Sequence, residues 1–65
     1  MSFSKLRGRI REKFGTQEPF AVAMDMSPAT LSGKLTEKTE WTKSEIEKAC
    51  KLLDIRVEKI HEYFF

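Results

Sequence analysis

Apolar residues recur along this chain with the period of amphipathic helices and nowhere with the alternation of a half-buried strand. Phe3, Leu6, Ile10 and Phe14 fall on one helical face and predict a first helix from about Ser4 to Phe14. Ser2 or Ser4 is its expected N-cap and Gly15 its stop. Thr16 is the next N-cap candidate. It opens a second helix, about Gln17 to Met24, with Pro19 early enough to sit in the first turn and Phe20, Ala21 and Met24 facing inward. Ser27 followed by Pro28 is a hydroxyl cap with proline at the first helical position. It starts a third helix, about Pro28 to Leu35, whose inner residues are Leu31 and Leu35. Thr42 and Glu45 form a Thr-x-x-Glu capping box. The fourth helix follows, about Lys43 to Leu53, with Ile46, Ala49, Cys50 and Leu53 inward. Asp54 to Arg56 is expected to turn. A last helix, about Val57 to Tyr63, is expected to bury Val57, Ile60 and Phe64. The pattern therefore predicts an all-α domain of five short helices spanning residues 1–65.

Helices two and three are about two turns each with roughly three turn residues between them. So short a pair cannot be stable alone and must pack on the first and fourth helices. Two short helices on a small core, joined by a tight turn, form the helix-turn-helix arrangement, in which the second helix projects its outer face.

Composition narrows the classes of function. A chain of 65 residues is one domain at most, and at this size only about 60% of the unfolded surface is buried. Disulfides within the chain are excluded because Cys50 is the single cysteine. No metal is expected, since His61 is the only histidine and has no ligand spacing around it. No cofactor is expected either, because there is no glycine-rich phosphate loop. His61 lies near the C-terminus with no positioned partner, so the chain is not expected to be an enzyme. Cys50, on an apolar helical face, reads as a buried structural thiol. No apolar run reaches the roughly 20 residues of a membrane span, and no export signal is present. With the lone cysteine, this points to the cytoplasm.

Net charge is +2, but its distribution is uneven. Residues 1–16 carry Lys5, Arg7, Arg9, Arg11 and Lys13 against Glu12 alone, while residues 17–26 carry only Glu18 and Asp25. The remaining segments are balanced. At helical spacing Arg7 and Arg11 share one face, and Arg9 and Lys13 another. This basic segment is either a solvated face or a phosphate-facing one.

The stretch from Gln17 to Leu35 resembles the helix-turn-helix of lambda-repressor-like, Cro/Xre-type regulators. Gln17 opens the second helix, and Ala21 sits at its crowded contact with the third. Phe20, Met24, Met26, Leu31 and Leu35 fall on the core positions, and Ser27 caps the third helix. The opening Phe-Ser-Lys-Leu-Arg-Gly-Arg-Ile and the closing Glu-Tyr-Phe-Phe extend the likeness to small phage-type repressor or Cro proteins. Asp25 departs from the usual glycine of the turn. Ile10 and Leu35 stand where many relatives join the first and third helices by a buried Arg–Glu pair.

The resemblance implies a lambda-repressor-like DNA-binding domain in a bacterial host cell, acting as a dimer on a pseudo-palindromic operator with the third helix in the major groove. Its base-reading candidates are Pro28, Ala29, Thr30, Ser32, Gly33 and Lys34. Its phosphate candidates are Gln17, Ser27, Lys38, Thr39 and Lys43, with the first-helix cations adding long-range attraction. Gly33 costs about 1 kcal/mol in a helix relative to alanine; it either leaves room for the backbone to approach DNA or is simply tolerated near the end of a short helix. No Arg, Gln or Asn stands on that face for bidentate base reading. That lack favours a second reading, an antirepressor or interaction module that binds another regulator. One of Phe64 and Phe65 is expected to seal the core and the other to stay exposed. Tyr63 and Phe65 are candidates for a dimer contact.

Overall fold

The computed structural model describes residues 3–65, which form α1 (Ser4–Phe14), α2 (Gln17–Ala23), α3 (Pro28–Leu35), α4 (Lys43–Leu53) and α5 (Ile60–Phe64). A 3-10 turn, Val57–Lys59, leads into α5. Among the described residues there is no strand, and no helix is long and apolar enough to cross a membrane. The all-α, five-helix expectation holds. Helix α1 packs on α2, α4 and α5, and α2 packs on α3.

The helix boundaries follow from local chemistry. The Ser27 hydroxyl accepts the Thr30 backbone N–H at 3.1 Å, and Pro28 fills the first helical position. Thr42 and Glu45 close the expected capping box. The Glu45 N–H donates to Thr42 Oγ1 at 3.2 Å, and the Thr42 N–H donates to Glu45 Oε1 at 2.9 Å. Gly15 ends α1 at φ 83°, a conformation open to glycine at little cost. The start of α1 differs from expectation: Phe3 occupies the N-cap position without a side-chain cap, and Ser4 is already helical. Ser2 lies outside the described residues. Thr16 stands at the N-cap of α2, but its hydroxyl makes no cap hydrogen bond. Helix α2 closes at Ala23, with Met24 as its C-cap.

Three helices end alike. Asp25, Glu37 and Asp54 are left-handed, with φ of 62°, 65° and 56°. In each case the next residue bonds back five positions: Met26 to Ala21 (3.0 Å), Lys38 to Gly33 (2.8 Å) and Ile55 to Cys50 (2.9 Å). This is the Schellman ending, normally made by glycine. It returns Met26 and Ile55 to the core.

The interior is built from Leu6, Ile10, Phe20, Ala21, Met24, Leu31, Leu35, Ala49, Cys50, Leu53, Ile55 and Phe64. Ile10 and Leu35 are both fully packed, an apolar pair where an ion pair would have to recover its desolvation cost. Val57 was expected inward and is 78% exposed. The αL turn at Asp54 sends Ile55 inward in its place, two residues earlier than the helical pattern implied.

Candidate functional site

The outer face of α3 is small and neutral. Pro28, Ala29, Thr30 and Ser32 are exposed, as their positions on the helix require. The Ser27 and Thr30 hydroxyls are engaged with each other at 2.9 Å. Gly33 does not present a bare backbone outward. A Cβ built there would stand 3.6 Å from Thr39 Oγ1, and its carbonyl accepts the N–H groups of Lys38 (2.8 Å) and Thr39 (3.3 Å). The helix end is thus covered by its own following loop.

Lys34 departs furthest from expectation. It is 6% exposed, the only buried charged side chain among the described residues. Its Nζ donates to the Glu40 carbonyl at 3.0 Å and pairs with Glu45 Oε1 at 2.8 Å. That oxygen is the one that also caps Thr42. The ammonium therefore ties the end of α3 to the start of α4. Burial pushes the Glu45 carboxyl up, but hydrogen bonds from Lys34 and Thr42 outweigh it and hold the group below its ordinary range. With Lys34 buried, no cation is exposed anywhere from Gln17 to Leu35, where Glu18 and Asp25 carry the charge. Of the phosphate candidates, Gln17, Ser27, Lys38, Thr39 and Lys43 are exposed at the starts of α2, α3 and α4 and in the connecting loop.

A second surface lies where Phe3, ahead of α1, meets the residues of α5 and Phe65. Trp41 packs edge-on to Phe64 (centroids 5.1 Å, 81°) and to Phe3 (6.4 Å, 72°). Its Nε1 is buried without a partner among the described residues. Phe64 is the sealing phenylalanine. Phe65 is 81% exposed and stacks on His61 at 5.4 Å. Phe3, Trp41, Ile46, Phe64 and Phe65 line an open groove of about 430 Å³, rimmed by Glu37 and Glu40. Tyr63 is half-buried, with the Lys5 ammonium 5.2 Å from its ring centroid. Lys5 and Lys59 both pair with Glu62 and lower its carboxyl pKa. Sequence reasoning singled out Tyr63 and Phe65 but not the Glu37 rim, whose only signal was an acidic residue just beyond a helix end.

These features define a small all-α domain whose short-helix pair exposes no cation and whose aromatic groove has an acidic rim. The whole chain, residues 1–65, matches the family described as protein of unknown function (DUF739), and it belongs to that family. This overturns the expected membership among Cro/Xre-type repressors. The chain is also similar to a solved structure, the solution structure of the modulator of repression (MOR) of the temperate bacteriophage TP901-1 from Lactococcus lactis. The two share 45% sequence identity with a TM-score of 0.88, over 98% of this chain and 86% of that one. No curated protein matches the sequence.

Proposed function

We propose that this chain is a phage-type regulator that binds a partner repressor protein in the cytoplasm of a bacterial host, and that it does not read an operator by itself. The observation that carries this reading is the charge of the α2–α3 pair. A face that enters a major groove needs cations for the flanking phosphates, because phosphate contacts supply most of the affinity. Here the exposed charges of that segment are Glu18 and Asp25, and Lys34 is consumed internally. The similarity to a modulator of repression supports the same reading.

The aromatic groove is the docking surface this reading favours. Phe65 offers an exposed anchor beside an apolar cleft, and interface energy concentrates in such aromatic residues. Glu37 and Glu40 complement the basic surface that a DNA-binding partner must carry. Glu37 is kept at a left-handed position where glycine would be less strained, and its charge opposes the negative end of the α3 dipole.

Calorimetric titration with the repressor encoded nearest to this chain tests the reading. Formation of a complex is expected, weakened by Phe65→Ala, with no sequence-dependent binding of operator duplex by this chain alone. Tight operator binding by the chain alone, abolished by substitutions at Ala29 and Ser32, would overturn it. Assembly of the chain only with itself through Phe65 would overturn it equally.

A further inference from the structure

We infer that the face of α1 carrying Arg7 and Arg11 is a contact for the phosphate backbone of duplex DNA, without sequence preference. The five cations of α1 divide into two groups. Lys5 pairs with Glu62. Arg9 donates to the carbonyls of Leu53 (2.9 Å) and Asp54 (3.3 Å) and pairs with Glu12 at 3.2 Å, so it belongs to the α1–α4 packing. Arg7 and Arg11 make no side-chain hydrogen bond or ion pair among the described residues, and both are exposed.

Arg7 and Arg11 stand four residues apart on one helix face, a rise of about 6 Å. Both border an open groove of about 300 Å³ whose other wall carries Thr16 and Gln17. The Thr16 hydroxyl is free because it does not cap α2. Two guanidinium forks, a hydroxyl and an amide thus converge on one concavity, with Glu12 already held by Arg9 and Glu18 the one further carboxylate nearby in sequence.

Guanidinium forks match phosphate oxygens bidentately. A DNA strand carries a phosphate about every 3.4 Å of axis, so a span of about 6 Å meets neighbouring ones. The choice of duplex DNA as the source of phosphate rests on the partner reading above, since a repressor itself sits on DNA. Beyond Gln17, the α2–α3 pair is left out of this contact because it has no exposed cation.

Titration of the ¹⁵N-labelled full chain with two unrelated 20-base-pair duplexes, at about 25 mM salt, tests the inference. Amide shifts are expected at Arg7, Arg11, Thr16 and Gln17, alike for both duplexes, with Ala29 to Ser32 unmoved. Raising salt to about 150 mM should weaken binding about 25-fold, the response expected for two phosphate contacts. R7E/R11E should keep the helical circular dichroism and the binding of repressor while losing the duplex. Absence of shifts, shifts centred on α3, tighter binding of single-stranded RNA of equal length, or duplex binding retained by R7E/R11E would each overturn the inference. Failure of the wild-type chain to bind repressor would defeat the partner reading and leave the duplex result standing.

Discussion

In the α2–α3 pair, Phe20, Met24, Leu31 and Leu35 all face inward, and even the lysine near its end is drawn into an internal ion pair. Apart from Gln17 and Val22, what remains outside is small or acidic. At the aromatic end the balance is reversed. Phe64 is buried, but Phe65 is left in solvent, Trp41 is half-covered, and two carboxylates rim the groove between them. One region has used its side chains to hold four short helices together. The other has kept apolar area in reserve. A helix pair of repressor-like proportions is therefore no guide to where a small protein meets its partner, because outline is set by packing and affinity by what is left exposed.

The sharpest way to break this comparison is at Glu45. Glu45→Ala leaves the Lys34 ammonium buried without its counter-charge and removes half of the capping box. Urea denaturation should register a loss of about 3 kcal/mol, a large share of what a domain this small possesses. Replacing Lys34 and Glu45 together with methionine should recover most of that loss; if it does not, the pair is more than a mutual neutralisation. The same carboxylate contributes to the acid response, beside Glu62. Its folded pKa lies below its unfolded value, so its contribution is complete above the ordinary glutamate range and fades as pH falls through that lower value. Thermal melts between pH 7 and pH 3 should show the decline, flattened in Glu45→Gln.

Phe65→Ala should act in the opposite sense, on binding and not on folding. With 81% of the residue exposed, its melting temperature should stay near wild type. Repressor affinity should fall about 30-fold, the loss of an aromatic anchor worth about 2 kcal/mol. An equal loss on replacing Ser32 would move the docking surface to α3.

Ser27→Ala removes the α3 cap and should cost about 1 kcal/mol by denaturant titration, without moving the aromatic groove.

The smallest effect is expected at the α3 end. Gly33→Ala places its methyl at ordinary contact distance from Thr39 and should stabilise by about 0.5–1 kcal/mol. Glu37→Gly should gain a similar amount by relieving its left-handed backbone while weakening repressor binding. Gain on both counts would remove Glu37 from the docking rim.

The amino-acid sequence by itself determined the number of helices and most of their ends. The Ser27–Pro28 start, the Thr42–Glu45 box and the Gly15 stop each act within a few residues, so each can be read without the fold. The apolar period likewise identified nearly all of the core, including Ile10 and Leu35. Only the tertiary structure decided the fate of side chains whose partners lie on other elements. Lys34 reads as an exposed helix cation until Glu45 and the Glu40 carbonyl are brought to it from the next helix. Gly33 reads as an opening toward DNA until Thr39 folds over it. Ile55 replaces Val57 in the core because of one left-handed aspartate. The choice between Phe64 and Phe65, and the groove they share with Trp41 and Phe3, exist only once α5 packs beside Phe3 and Trp41. Burial and pairing at these positions are set by distance in space, which local sequence rules do not encode.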